Sequence, residues 1–329
     1  MRNLPKIELH CHLDGSVRAN TVVEIARREG IDIPTYELSE LEKMMGVRID
    51  CESLVEYLKC FDISNKVMQS PYSLERIAYE LMEDASRENV KYIEIRFGPN
   101  LHIRSGMTTD KVIESVLKGI KRAELDFDIK GNLILSNLRH HTMDVLDDII
   151  ESGKKYIGKG VVGLDLCAAE EDGFCEKYTD YFKKAREYGY RITIHAGEAG
   201  CGKNVFDAVE LLGAERIGHG VYIHSHEEAY KTVKNKGVTL EMCPTSNIQT
   251  KAIDSFENHP IMDFMKDGIK VSISTDNRTV SATDMTNEME LVAKYNGMTD
   301  DDYWKIYMDT VAASFACDSV KLWLLEFVR

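Results

Sequence analysis

Two histidines stand one residue apart in the stretch IELHCHLDGS, residues 7–16, at the end of an apolar run. If that run is a β-strand, His10 and His12 point to one face and Cys11 and Leu13 to the other. One strand then offers two imidazoles to the same point in space. A third histidine, His195, ends the run YRITIHAGE, and a carboxylate, Asp276, ends IKVSISTDN. Three neutral imidazoles and one aspartate suit zinc and leave a position for water. Any lone histidine at a strand end is ordinarily just a hydrogen-bonded structural residue, so the argument rests on the set. Cys11 is turned away by alternation and is expected to pack under a helix.

These residues meet only if the elements carrying them do. Short β-rich runs recur along the chain: KIELHCH, KYIEIRFGP (91–99), GNLILSNLRH (131–140), VVGLDLCA (161–168), YRITIHAGE (190–198), ERIGHGV (215–221), GVTLEMCPTSN (237–247) and IKVSISTDN (269–277). Between them lie stretches of helical periodicity such as LERIAYELMEDASREN, TDKVIESVLKGIKRAEL and FDAVELLGAE. Strand and helix in alternation give a parallel sheet, either a closed barrel or an open doubly wound sheet. Eight runs favour the closed (β/α)8 barrel of the TIM type. So does the position of His10, His12, Asp165, His195, Glu198, His219, Asn247, Asp276 and Asn277 at or just past the C-terminal ends of their runs, the rim where barrel enzymes carry their chemistry. In such a ring strands one and eight are neighbours, which brings His10 and His12 to Asp276. The segment from about 31 to 70 is too long for a simple connection and is expected to add helices over the mouth. The whole chain, 1–329, reads as one domain.

Composition narrows the function. Of the 329 residues 43% are hydrophobic and 29% charged, as in a soluble globular protein. A formal net charge of −14 repels phosphate backbones, which argues against nucleic acid as a partner. No apolar run approaches membrane-spanning length and no secretory leader is visible, so neither a membrane nor export is expected. The eight cysteines are scattered without a C-x-x-C pair, as reduced thiols of a cytoplasmic protein would be. Dinucleotide and P-loop fingerprints are absent. A small neutral substrate fits best; a monomer is compatible with the sequence, which does not specify an oligomeric state.

The strings HCHLDGS, HAGE, IGHG, CPTSN and STDN occur in the order and spacing of the adenosine deaminase family, within the wider metal-dependent amidohydrolases, and the chain resembles that family over nearly its whole length. The resemblance implies a barrel with one zinc per chain held by His10, His12, His195 and Asp276. It implies Glu198 as the proton donor to purine N1, His219 beside the attacking water, and His219 with Asp276 orienting that water and accepting its proton. The reaction implied is hydrolytic deamination of adenosine and 2′-deoxyadenosine to the 6-oxo nucleoside and ammonia. Zinc would lower the pKa of water to roughly 7, and general acid help of this kind contributes about 10²–10⁴-fold.

Substrate contacts follow from the same likeness. Asp14 matches the residue that reaches the ribose, favouring a nucleoside over a free base. SLVEYLKCF, residues 53–61, sets Leu54, Tyr57, Leu58 and Phe61 on one helical face and is similar to the family's apolar lid. Two positions depart from the common pattern. TDNR stands for TDDP, so Asn277 offers an amide donor to N7 in place of a carboxylate. DLCA stands for DLAG, so Ala168 replaces a glycine whose amide meets N3. The acidic run AAEEDGF is expected to be solvated loop. His102, His140, His141, His224, His226 and His259 are expected to be structural or surface residues, His140 being the one near a strand end. The rivals are a sister deaminase acting on adenine or a modified adenosine, a metal-binding scaffold on a retired barrel, and an ester or amide hydrolase of the two-metal kind. The scaffold would lack a ligand or Glu198, and none is missing. The hydrolase would want a lysine where Asp165 and Leu166 stand.

Overall fold

A computed structural model describes residues 1–47, 51, 57–104 and 106–328. Among these, eight parallel strands follow one another in chain order: β1 Lys6–His12, β2 Val90–Phe97, β3 Lys130–Leu138, β4 Val161–Cys167, β5 Arg191–Ala196, β6 Arg216–His219, β7 Thr239–Met242 and β8 Lys270–Ile273. The ring is drawn together just past β8. There the His12 amide donates to the Asp276 carbonyl at 2.7 Å and the Asp276 amide donates to the His10 carbonyl at 2.9 Å. The seam of the barrel therefore runs through three of the residues singled out for chemistry. The result is the (β/α)8 architecture expected from the alternation, and its strands are buried on both faces, which is why they read as apolar runs.

Helices cover the outside for identifiable reasons. The helix Pro71–Arg87 starts at a Ser70 capping box with proline in its first turn, and Thr109–Asp126 starts where Thr108 accepts from the Lys111 amide. The two pack side by side, and Gly119 lies at their contact, where a Cβ would strike the Glu75 carbonyl. Cys11 is fully buried in the apolar layer outside the ring, as alternation requires.

The last strands are shorter than their apolar runs. β6, β7 and β8 stop at His219, Met242 and Ile273, so the expected strands through residues 221, 247 and 277 are corrected. In CPTSN the cause is Pro244, which has no amide to give a ladder and takes the first position of a helix, Pro244–Gln249. Asn247 accordingly reaches the site from a helix. After β8 the backbone leaves extended geometry, with Asp276 at φ 61°.

Over the mouth lie the helix Leu38–Met45, a 3-10 turn Leu58–Phe61 and the helix Asp62–Val67. Leu54 falls outside the described residues. The expected α-helical stripe over 53–61 is corrected at its end: from Leu58 the chain winds as a tighter 3-10 turn, yet Tyr57, Leu58 and Phe61 all line the cavity below.

The barrel interior carries charges that cancel. Arg216 donates to Glu241 at 2.7 Å and to Glu94 at 2.5 Å, and Arg96 donates to Glu241 at 2.7 Å, all buried. Burial would push Glu241 up, but the two guanidiniums hold it well below the ordinary carboxylate range. That fixed anion touches the site directly.

Candidate active site

His10 Nδ1 lies 2.9 Å from Glu241 Oε2, and His195 Nδ1 lies 2.9 Å from Asp165 Oδ1. An ionised carboxylate only accepts, so each imidazole carries its proton on Nδ1 and turns a bare Nε2 lone pair inward. His12 Nε2 comes within 3.2 Å of His195 Nε2 and 3.3 Å of Asp276 Oδ1, and His10 Nε2 is 3.3 Å from the same oxygen. Burial lowers the His12 pKa well below its usual value, keeping the ring neutral. Asp276 is buried among these rings. Its other oxygen accepts from Ser246 at 2.6 Å. Lone pairs and a carboxylate oxygen thus face one another, and His10 Nε2 is buried with no hydrogen-bond partner among the described residues. A cation satisfies that arrangement and nothing in the side chains does, so the donor set fits a metal ion.

Two criteria pick different fourth members. The ligand atoms of His10, His195, His219 and Asp276 all lie within 4.8 Å of one another, a group that includes His219 and omits His12. Tautomer decides between them. Asn247 Nδ2 faces His219 Nδ1 at 3.0 Å while Asn247 Oδ1 accepts from His259 Nε2 at 3.1 Å. His219 therefore accepts on Nδ1 and carries its proton on Nε2, the nitrogen facing the site. A protonated nitrogen donates a hydrogen bond and does not bind a metal. His12 is the better fourth ligand and His219 the better donor to a water.

Glu198 follows β5 on a loop, buried, with Oε2 3.6 Å from His219 Nε2. Asp14, just past β1, is buried, and desolvation raises its pKa to about 6. Asn277 is buried with Oδ1 unpaired among the described residues, and its amide rests where Gly15 lacks a Cβ. Ala168 has φ 76°, so the alanine keeps the left-handed backbone of a glycine and its amide direction with it. Arg139 pins this turn by donating to the carbonyls of Ala168 and His195. Tyr57 is buried and hydrogen-bonded to Ser281 at 2.6 Å. All these residues except Arg139, Gly15 and Ser281 line one cavity of about 850 Å³, ample for a purine nucleoside.

The structure brings His12, His195, His219, Glu198 and Asp276 to the cavity floor, with His10 buried directly behind Asp276. Asp14, Ala168 and Asn277 lie beside them and Tyr57, Leu58 and Phe61 above. His140 also lines the cavity, though outside the cluster. One expectation is corrected and another is made specific. AAEEDGF is not simply solvated, because Glu170 accepts backbone bonds from the Glu198 loop. His259 is buried and orients Asn247, with its pKa lowered to about 3 by burial. Sequence reading also passed over Glu241, although a lone glutamate inside the apolar run VTLEM was a visible signal of a buried ion pair.

The fold and the site together define a metal-dependent hydrolase on a (β/α)8 barrel. A family model described as adenosine deaminase matches residues 5–329. The chain is 57% identical over 319 residues to an adenosine deaminase of Clostridium perfringens, covering 97% of this chain and 96% of that one. It is 54% identical over 328 residues to an adenosine deaminase of Clostridium botulinum, covering 100% and 98%. A solved amidohydrolase of Burkholderia ambifaria with bound Zn superposes with a TM-score of 0.87 at 28% identity, covering 98% of this chain and 90% of that one. The chain belongs to the adenosine deaminase family, and its reaction is the hydrolytic deamination of adenosine. Its substrate is accordingly a small purine compound. Among the described residues no helix is long and apolar enough to cross a membrane.

Proposed function

We propose that the whole chain, 1–329, acts as one cytoplasmic catalytic domain that holds one zinc and deaminates adenosine and 2′-deoxyadenosine. The observation that carries this reading is a buried glutamate, Glu198, on the same cavity floor as His12, His195 and Asp276, with His10 buried against the Asp276 carboxylate. Those four residues hold the metal. When bound, zinc supplies Lewis acidity that makes water a competent nucleophile at neutral pH.

The protein's own groups do the rest. Glu198 gives its proton to purine N1 as water adds to C6, so the ring electrons have somewhere to go. His219, carrying its proton on Nε2, donates to the attacking oxygen and fixes its direction. Asp276 takes the proton the water gives up. The C6–N bond then breaks, the nitrogen leaves as ammonia with that proton, the C6 hydroxyl gives up its own proton to restore the acid form of Glu198, and the 6-oxo nucleoside remains. Asn277 donates its side-chain amide to N7, the Ala168 amide faces N3, and Asp14 accepts from the ribose. Tyr57, Leu58 and Phe61 close the apolar side and keep water off the ring. The net charge of −14 leaves nucleic acid without an attraction to this surface.

An ultraviolet assay with adenosine, 2′-deoxyadenosine and adenine, on protein whose metal is quantified, tests the proposal. Both nucleosides should be turned over, adenine should not, and Glu198→Gln should lower kcat by about 10²–10⁴-fold with the metal retained. Adenine as the preferred substrate would refute the nucleoside reading, and an active Glu198→Gln would refute the assigned acid.

A further inference from the structure

We propose that Glu170 is a positioning residue for the acid Glu198. Its carboxylate gathers the backbone of the loop on which Glu198 stands. Oε1 accepts from the Gly197 amide at 2.8 Å, and Oε2 accepts from the amides of Glu198 and Ala199, each at 3.0 Å. Successive amides converging on one anion form a nest of the kind that binds phosphates in other folds; here the chain's own carboxylate occupies it. Among the described residues these amides have no other acceptor.

The clamp is itself held. Asn204, fully buried, donates Nδ2 to Glu170 Oε1 at 2.9 Å and to the Glu171 carbonyl at 3.0 Å, and its Oδ1 accepts from the Gly173 amide at 2.9 Å. β5 ends at Ala196 and Gly197 turns the chain out of the sheet at φ 66°, where the Tyr222 amide donating to the Gly197 carbonyl at 3.0 Å is the loop's other backbone tie among the described residues. Glu170 does not line the cavity, so it acts through the residues it holds. It sits two residues past Ala168, on the loop after β4, while Glu198 sits on the loop after β5. If Ala168 meets N3 and Glu198 meets N1, one carboxylate sets the spacing between two contacts on the same six-membered ring. Acid catalysis depends on that spacing to within a fraction of an ångström.

The inference rests on Glu198 being the acid, and its test separates the two. Glu170→Ala, Glu170→Gln, Asn204→Ala and Glu198→Gln are compared with the unaltered enzyme for turnover of adenosine. They are also compared for affinity toward two ligands. Purine riboside adds water across C6 and N1 but has no amine to lose, so tight binding needs the proton from Glu198. Inosine needs no such transfer. Glu170→Ala should lower kcat and purine riboside affinity together by roughly 10–100-fold while KM and inosine affinity change less than about threefold. Glu170→Gln should recover part of the loss, since its amide oxygen still accepts. Asn204→Ala, which leaves the three amide bonds in place, keeps the test open if Glu170→Ala does not fold and should show the same split, several-fold in size.

A Glu170→Ala enzyme with kcat within twofold of the unaltered one, or equal losses toward both ligands, would overturn the inference. So would an Asn204→Ala enzyme that shows no split. A Glu198→Gln enzyme that keeps full activity would overturn this inference and the assignment of the acid together, whereas a dead Glu198→Gln beside a normal Glu170→Ala would overturn this inference alone.

Discussion

The rim of the barrel and the roof over it are built in opposite ways. At the rim four working groups are each fixed by a supporting side chain: His10 by Glu241, His195 by Asp165, Asp276 by Ser246, and His219 by Asn247, which His259 holds in turn. Three non-glycine residues there, Ala168, His219 and Asp276, hold left-handed backbone, a strain that only a surrounding network maintains. On the roof Leu58–Phe61 is a single 3-10 turn with no buried residue, and Lys43, Lys59, Lys66 and Arg104 stand exposed around the opening. Tyr57, just before it, is tied to Ser281, and Cys60 within it donates to the Gly46 carbonyl. The contrast separates two tasks: groups that react must not move, whereas groups that admit substrate must.

The comparison breaks most visibly at the buried anion under His10. Glu241→Gln leaves Arg96 and Arg216 short of a counter-charge and weakens the Nδ1 acceptor. Metal affinity should fall about 10–100-fold and stability by about 3 kcal/mol, read by metal titration and by chemical denaturation. An unchanged metal affinity would mean that the rim does not depend on its supports.

The roof should respond in a different quantity. Phe61→Ala removes part of an apolar cover, and KM for adenosine should rise by roughly fivefold with kcat nearly constant, the pattern of lost uniform binding. A kcat loss as large as that of a rim substitution would erase the distinction between the two regions.

A smaller effect concerns pH. Glu288, buried behind the helix that carries Ser246 and Asn247, accepts from the Thr245 amide and the Thr283 hydroxyl, and burial raises its pKa from 4.5 to about 7. The folded protein therefore keeps a proton that the unfolded chain releases, so this group's contribution to stability declines as pH rises from about 4.5 to about 7. Glu288→Gln should flatten that decline by at most about 3 kcal/mol, measured by denaturation across the range. The smallest expected change is at Ala168: glycine relieves the left-handed strain but adds unfolded-state entropy, so Ala168→Gly should alter stability by less than about 1 kcal/mol and leave KM nearly unchanged.

Legibility in the sequence followed the same division. His10 and His12 could be placed on one face because β alternation is rigid, and the eight runs gave the ring that brings Asp276 beside them. The positions of His195, Glu198 and His219 followed from their strand ends. What stayed hidden were contacts that link loops distant in the chain. Glu170 looked like one acid among several in AAEEDGF, because nothing local indicates that backbone amides of residues 197–199 will converge on it. His259 gave no signal, since its partner Asn247 was read onto a strand until Pro244 is seen to start a helix. The roof was least legible. Its apolar spacing fits an α-helix, yet Leu58–Phe61 winds more tightly, a choice set by packing on the mouth and not by period.

The central claim is that three imidazoles and Asp276 hold one zinc and that deamination depends on it. The most direct measurement is a zinc titration of metal-stripped protein in which bound metal and adenosine turnover are followed together, beside His12→Ala and His219→Ala. Activity should rise in proportion to zinc and level off at one equivalent per chain. His12→Ala should lose tight metal binding, while His219→Ala should keep the metal and lose turnover. Full turnover without metal, or a His219→Ala protein that loses zinc while His12→Ala retains it, would contradict the account.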